Sequence, residues 1–302
     1  MAPNQTLSFL QKRFREIGLE PDARRGQNFL IDMNLLRMLA STAELERRDV
    51  ALEVGTGTGS LTALLAEHAG QVITVEVDAH LHQLASELLF DCDNITMLLQ
   101  DALRNKNNLD DKVIEAVKAA LAAKPGRRLK LVANLPYSVA TPIISNLLSG
   151  DIIPMTMTAT IQKELADRIV AVPGTKDYSS LSIWIQCQCR AEIIRLMPPS
   201  VFWPRPKVTS AIIQIVVEPE RRAQIPDLTY FHNFIRAMFF HRRKFLRSNI
   251  LGAFKDRLEK PEVDEILAAN NLDGNARSET LSVETLLALC ESVRSRVPDW
   301  TL

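Results

Sequence analysis

Several features are scarce in this chain. It has four cysteines in 302 residues. Cys92, Cys187, Cys189 and Cys290 are too few and too scattered for a disulfide framework. Cys187 and Cys189 form a CxC pair, but no second pair or nearby histidine completes a zinc set, so no metal site is expected. No run of eighteen apolar residues occurs, which argues against a membrane-spanning helix. The first residues lack a signal peptide's apolar core, and Glu16, Glu20 and Asp22 are out of place in a transit peptide. Leu7, Leu10, Phe14 and Ile17 recur instead at helical spacing. A cytoplasmic, reduced, globular protein is expected, with 46% hydrophobic residues to build its core.

Net charge is absent as well. Thirty-six basic and 36 acidic residues cancel, so nothing global announces a nucleic-acid partner. The placement is uneven, however. Between Arg236 and Lys255 there is no acidic residue, while Arg236, Arg242, Arg243, Lys244, Arg247 and Lys255 are basic. Arg24, Arg25, Arg205 and Lys207 form smaller groups in loop-like sequence. Phosphate neutralisation is local, so a neutral protein with such patches can still bind RNA. A solvated helix face is the plainer alternative for the basic run.

The first two-thirds alternate strand and helix patterns. Strands are expected at 50–54, 71–77, 95–99, 129–133 and 155–161, with helices at about 61–68, 81–88, 112–123 and 143–148. Such alternation predicts a parallel sheet covered by helices on both faces. Ala191–Leu196 and Ser210–Val217 are apolar, β-branched runs joined by proline-rich sequence, suited to an antiparallel pair closing one sheet edge. Helices then dominate, over 230–240, 243–253, 262–269 and 283–296. A domain boundary is expected near Glu218–Pro226.

Chemistry-bearing residues fall at the strand ends. Glu53-Val54-Gly55-Thr56-Gly57-Thr58-Gly59-Ser60 joins the first strand to its helix, and its glycines permit positive φ and close approach of a ligand. A dinucleotide fingerprint would need glycine where Ser60 stands. GxGxG with an acid ahead of it is typical of enzymes that bind S-adenosylmethionine. Glu76 ends the second strand, where a carboxylate can accept hydrogen bonds from both ribose hydroxyls. Asp78, its nearby rival, reads as a solvated loop charge. Asp101 follows the third strand, placed to accept from the cofactor's adenine amino group. Asn134-Leu135-Pro136-Tyr137 follows the fourth. There an amide oxygen and a backbone carbonyl could accept the hydrogens of an amino-bearing ring, while the tyrosine stacks on its face.

These blocks resemble the ribosomal RNA adenine N6-dimethyltransferases. The resemblance rests on Arg25-Gly26-Gln27-Asn28-Phe29-Leu30, the Gly55 loop, Glu76, Asp101 and Asn134–Tyr137. Gln162-Lys163-Glu164, the block from Pro199 to Ser210, and Phe239-Phe240-His241-Arg242-Arg243-Lys244 extend it over roughly residues 24–290. It implies an α/β fold: a Rossmann-like S-adenosylmethionine-dependent methyltransferase domain over residues 1–220, then a small all-helical, RNA-binding domain over 221–302. By matching blocks, Asn28, Leu30, Gly55, Glu76, Asp101 and Asn134 would bind S-adenosyl-L-methionine. Asn134, Pro136 and Tyr137 would be catalytic, and Tyr137, Phe202, Arg242, Arg243 and Lys244 would meet the RNA, with Phe202 closing over the target adenine.

The implied activity is dimethylation of two adjacent adenines near the 3′ end of small-subunit rRNA, by a monomer acting on that RNA or on the assembling small subunit. Large-subunit rRNA methylation of the macrolide-resistance kind is the alternative. A non-enzymatic relative of the mitochondrial transcription-factor kind and a nicotinamide-dependent oxidoreductase fit less well. Two departures stand out from the family pattern: the segment 104–128 is long, and Ser138-Val139-Ala140-Thr141 replaces the asparagine, isoleucine and hydroxyl residues usual after Tyr137.

Overall fold

The computed structural model describes residues 6–16, 18–21 and 26–302; Ile17, Asp22, Arg24 and Arg25 lie outside the described residues. In chain order, α1 (Leu7–Glu16), β1 (Phe29–Leu30) and α2 (Met33–Thr42) precede the alternating part. That part runs β2 (Asp49–Val54), α3 (Ser60–His68), β3 (Gln71–Glu76), α4 (Ala79–Leu88) and β4 (Ile95–Leu99). A small hairpin, β5 (Leu103–Asn105) and β6 (Asn108–Leu109), leads to α5 (Asp111–Ala122), β7 (Arg128–Asn134), α6 (Ala140–Ser149) and β8 (Thr156–Gln162). The long 104–128 segment is therefore mostly hairpin and helix.

After β8 come α7 (Lys163–Val170), α8 (Ser180–Gln186), β9 (Cys189–Met197), β10 (Phe202–Trp203) and β11 (Ser210–Val217). The rest is helical: α9 (Pro219–Arg222), α10 (Leu228–Phe240), α11 (Leu246–Ala253), α12 (Lys260–Ala269) and α13 (Val283–Arg294).

Seven strands form the main sheet in the order β4-β3-β2-β7-β8-β11-β9. β3, β2, β7, β8 and β4 are parallel, whereas β11 runs antiparallel to β8. Every residue of β2 is buried, as a strand covered on both faces requires. β9 and β11 close one edge of the sheet, as their apolar runs predict. Helix starts are set by side-chain caps: Asp32 accepts from Asn34 and Leu35, Asp78 from His80 and Leu81, and Asp110 from Lys112. Asp78 is thus a nearly buried helix cap rather than a solvated loop charge.

The chain divides into two compact units, Met1–Ala166 with Glu192–Val217, and Asp167–Ala191 with Glu218–Leu302. A single cut at residue 220 misses the second unit's early segment. The reason is α8, whose Ile183, Trp184 and Ile185 are buried. Trp184 stacks on His232 of α10 with ring centroids 4.2 Å apart, and the Tyr178 hydroxyl donates to the Leu281 carbonyl at 3.0 Å. A second difference concerns α11, which begins at Leu246 rather than Arg243. Its first amides are capped from outside the helix: Leu246 donates to the Ala276 carbonyl at 2.8 Å and Arg247 to that of Gly274 at 3.2 Å. Arg242, Arg243 and Lys244 consequently occupy a turn rather than a helix face.

At the amino ends of β2 and β7 a buried ion cluster ties the sheet to α2. The Asp49 carboxylate, fully buried, meets Arg128 at 2.6 Å and Lys130 at 3.1 Å. The Lys130 ammonium also donates to the Ala43 and Glu44 carbonyls at 3.0 and 2.7 Å. Removing one partner of such a group strands the other's charge in the interior. Asp49→Ala is expected to cost roughly 3–5 kcal/mol of stability, read from denaturant unfolding; a loss below about 1 kcal/mol, the range of an exposed pair, would contradict that role for Asp49.

Candidate active site

The strand order reverses at β2. The chain proceeds outward through β3 and β4, then returns to place β7 on β2's other side. Such a switch point opens a crevice at the carboxyl ends of the strands. A cavity of about 350 Å³ occupies it. Asn28, Leu30, Gly55, Glu76, Asp101, Asn134 and Pro136 line it, together with Glu53, Leu36, Leu61, Val75, Leu81 and Gln100. Six strand-end or loop positions picked for cofactor binding from sequence thus meet in one place.

The glycine loop is shaped by its neighbours. Gly55 has φ 87°, and its amide donates to the Val75 carbonyl at 2.8 Å. Gly59 caps α3 at φ 81°, and a Cβ there would stand 3.2 Å from that of Ala85. Both positions are left-handed, which favours glycine. The loop also holds Glu76. The Gly57 amide donates to Glu76 Oε2 at 2.8 Å, and the Val77 and Asp78 amides donate to Oε1 at 3.0 Å each. Burial pushes the Glu76 carboxyl up, these three amides pull it down, and Asp78 pushes it up again. Three of its roughly four acceptor positions are therefore already used, leaving fewer for ribose hydroxyls than the sequence reading supposes.

Glu53, one residue before the end of β2, is the acid ahead of the glycines. It is 1% exposed. Thr62 and Thr74 hydroxyls both donate to its Oε2, at 2.6 and 2.7 Å. Burial, only partly offset by those hydroxyls and reinforced by Glu76, raises its carboxyl to about 8. Asp101 is exposed and accepts from the Leu103 amide at 2.9 Å. Among the described residues, the cavity carries three carboxyl groups and no cationic side chain. Such a lining would repel a pyrophosphate and suits a ligand bearing positive charge.

At the end of β7, the Asn134 side-chain amide donates to the Asn28 carbonyl at 2.9 Å. A carbonyl only accepts, so this bond settles which end of the amide is nitrogen and leaves Oδ1 as the free acceptor. Asn28 is itself pinned, its amide donating to the Gly26 carbonyl at 3.2 Å. The Pro136 carbonyl accepts from the Val139 amide at 3.1 Å, which occupies one of its two lone pairs. Val139 caps α6 without a side-chain bond. Tyr137 is half-buried, and its hydroxyl sits 2.6 Å from the Ser210 hydroxyl. Burial raises the phenol above its ordinary range, with the Ser210 bond opposing. Ser210 has no signal in sequence beyond its place in a matching block.

Not every residue picked from sequence reaches this cavity. Tyr137 and Phe202 are absent from its lining. Phe202 is 3% exposed and packs with Leu30, Leu36 and Leu61. β1 pairs antiparallel with β10, setting Leu30 opposite Phe202 and Phe29 opposite Trp203. The Phe202 ring belongs to the core in this structure, so it does not lie open to close over an adenine. Phe14 of α1 completes the clamp, with ring centroids 5.2 Å from Phe29 and 5.1 Å from Trp203.

The basic cluster lies in the second unit. Arg242 is committed there: its guanidinium pairs with Glu279 and donates to the carbonyls of Lys176 and Thr175 at 2.6 and 3.0 Å. Arg243 and Lys244 are exposed, and Phe240, two residues before Arg242, is 81% exposed. The sequence reading placed Phe240 in a family block but gave it no role, because exposure cannot be read from composition. Among the described residues no group of acids, histidines or cysteines is arranged to hold a metal ion, and no helix is long and apolar enough to cross a membrane.

Comparison with known proteins places this architecture. The ribosomal RNA adenine dimethylase family matches residues 22–289. A ribosomal RNA small subunit methyltransferase A from Alkaliphilus oremlandii is 39% identical over 273 residues, covering 90% of this chain and 91% of the relative. One from Listeria monocytogenes serotype 4b is 41% identical over 259 residues, covering 85% of each. Among solved structures, a dimethyladenosine transferase from Plasmodium falciparum superposes with a TM-score of 0.74 at 22% identity, covering 88% of this chain and 97% of the other. The 23S rRNA methyltransferase ErmE gives 0.62 at 25% identity, covering 88% and 99%. The chain belongs to the ribosomal RNA adenine dimethylase family.

Proposed function

We propose that this enzyme transfers methyl groups from S-adenosyl-L-methionine to N6 of two adjacent adenines near the 3′ end of small-subunit rRNA. Family membership makes it an rRNA adenine dimethyltransferase, with S-adenosyl-L-methionine as its cofactor. The RNA is inferred from the relatives at 36–41% identity, which carry the small-subunit name, whereas the 23S enzyme is 25% identical. The single observation that carries the chemistry is the Asn134–Asn28 hydrogen bond, which presents an acceptor oxygen at the cavity wall.

The cofactor supplies a methyl group on a positively charged sulfur. Glu76 and the Gly55–Gly59 loop would hold its ribose and methionine tail, and Asp101 with the apolar side chains its adenine. An exocyclic adenine nitrogen is a poor nucleophile because its lone pair is drawn into the ring. Asn134 Oδ1, with the remaining lone pair of the Pro136 carbonyl, would accept both amino hydrogens and favour a pyramidal nitrogen. Tyr137, anchored through Ser210, would orient the ring. The acceleration is then mainly positional, and no general base is needed before methyl transfer. The target adenine has to be unpaired or flipped to enter.

The second unit would supply phosphate contacts through Arg243 and Lys244, with Arg242 holding their turn. The cytoplasm is the compartment in which such an enzyme would meet its RNA. A monomer suffices, since one chain carries every residue named.

Three outcomes are expected. Mass spectrometry of rRNA from cells lacking the protein should find two adjacent small-subunit adenines unmethylated; a missing mark in large-subunit RNA would favour the macrolide-resistance type of activity. Asn134→Ala should lower kcat on an RNA substrate by about 10²-fold or more, and near wild-type turnover would remove Asn134 from the chemistry. Replacing Arg243 and Lys244 with alanine should reduce the salt slope of RNA binding by roughly two, with an unchanged slope pointing to a merely solvated turn.

A further inference from the structure

Glu53 has no part in the mechanism above, yet it is one of three carboxyl groups on the cavity wall. Its two oxygens are treated differently. The Thr56 and Thr74 hydroxyls are 2.6 Å apart, and Thr74 and Thr62 both donate to Oε2. If Thr74 spends its proton on Glu53, Thr56 has to be the donor in its own pair, so Thr62 and Thr74 donate to the carboxyl while Thr56 donates to Thr74. Oε1 takes none of these bonds. A proton on Oε1 is compatible with both hydroxyl bonds to Oε2.

The charges around Glu53 are acidic. Glu76 on β3 and Asp101 after β4 share its cavity. On β7, Lys130 is paired with Ala51 in register and binds Asp49 at 3.1 Å, at the far end of the strand from the glycine loop. Neither α3's first turn nor the Asn134 end of β7 adds a titratable group. A buried carboxyl with like charges beside it and no cation keeps its proton until a positive charge arrives.

We propose that Glu53 is the proton-linked counter-charge of this site, keeping its proton before the sulfonium cofactor binds and releasing it to solvent as the cofactor enters. The inference rests on the cofactor assignment. The product, S-adenosylhomocysteine, has a neutral thioether in place of the sulfonium. Both ligands carry the α-ammonium of the amino-acid tail, so the sulfonium is the charge that differs; without it the product draws the proton off less, and the site favours methyl donor over spent product. Glu53 is a positioning residue for charge; it touches no reacting atom in this scheme.

Burial pushes the free carboxyl up to about 8. Just below that value it is mostly protonated, so binding that ionises it releases roughly half a proton or more per site. The sign follows: proton release makes binding tighter as pH rises, until the free carboxyl is itself ionised. The wild-type affinity for S-adenosylmethionine, divided by that of Glu53→Gln, should rise with pH up to about 8 and level off above it. Glutamine keeps an acceptor for Thr62 and Thr74 while mimicking the protonated form.

The decisive measurement is calorimetry of the full chain at pH 7.5 in buffers of different ionisation enthalpy, with S-adenosylmethionine and S-adenosylhomocysteine in separate titrations. Wild-type protein should release substantially more proton with the first than with the second, and Glu53→Gln should abolish the difference. If the variant does not fold, equal release for the two ligands in the wild type still overturns the proposal, and Glu53→Asp, which keeps a carboxyl, replaces Glu53→Gln as the assigning variant. Equal proton release for both ligands, or a difference that persists in Glu53→Gln, would overturn the proposal. Binding of neither ligand would overturn the cofactor assignment and this proposal together.

Discussion

Parallel strands joined by helical crossovers bring all their carboxyl ends to one edge of a sheet, and β2 lies where the crossover direction reverses. Glu53, Gly55, Glu76, Asp101 and Asn134 are distant in sequence, yet each lies at the end of β2, β3, β4 or β7. None of these strands could change register without carrying its residue out of the crevice. The buried Asp49–Lys130–Arg128 cluster secures β2 against β7 at the opposite edge. This central pair is thus tied by charge at one end and lines the cavity at the other.

Backbone groups do much of the work of orientation in this cavity. Glu76 is held by three main-chain amides, and Asn134 is turned by the main-chain carbonyl of Asn28. Asn28 immediately precedes β1, and β1 is fastened to β10 with Phe14, Phe29 and Trp203 packed together. The orientation of the Asn134 amide therefore depends on an aromatic clamp, one ring of which, Phe29, also lines the cavity. The block from Pro199 to Ser210 contributes in two ways: Phe202 and Trp203 close the clamp, and Ser210 holds Tyr137.

Much of the fold was legible because period and punctuation agreed. The apolar runs at 50–54, 71–77, 95–99 and 129–133 became β2, β3, β4 and β7 within a residue or two, and the glycines after β2 marked the first turn. Elsewhere the local signal misled. Phe202 resembles a residue available to a substrate, but strand pairing seals it in the core. Arg243 and Lys244 continue a helical pattern, but capping by the carbonyls of Gly274 and Ala276 delays α11 to Leu246. Residues 167–191 precede the last sheet strands in sequence, yet Trp184 finds its partner in α10.

The sequence by itself determined the order of the strands, the glycine loop, the acids and the Asn134–Tyr137 corner, because those depend on local spacing and side-chain chemistry. Family membership followed from the same blocks. Tertiary structure alone decided the protonation and direction of those groups. Burial, with Glu76 beside it, pushes the Glu53 carboxyl up; the Asn134 amide is fixed because its nitrogen donates to a carbonyl 106 positions earlier. Such effects act through space at hydrogen-bond and Coulomb distances, and neighbours along the chain carry no record of them.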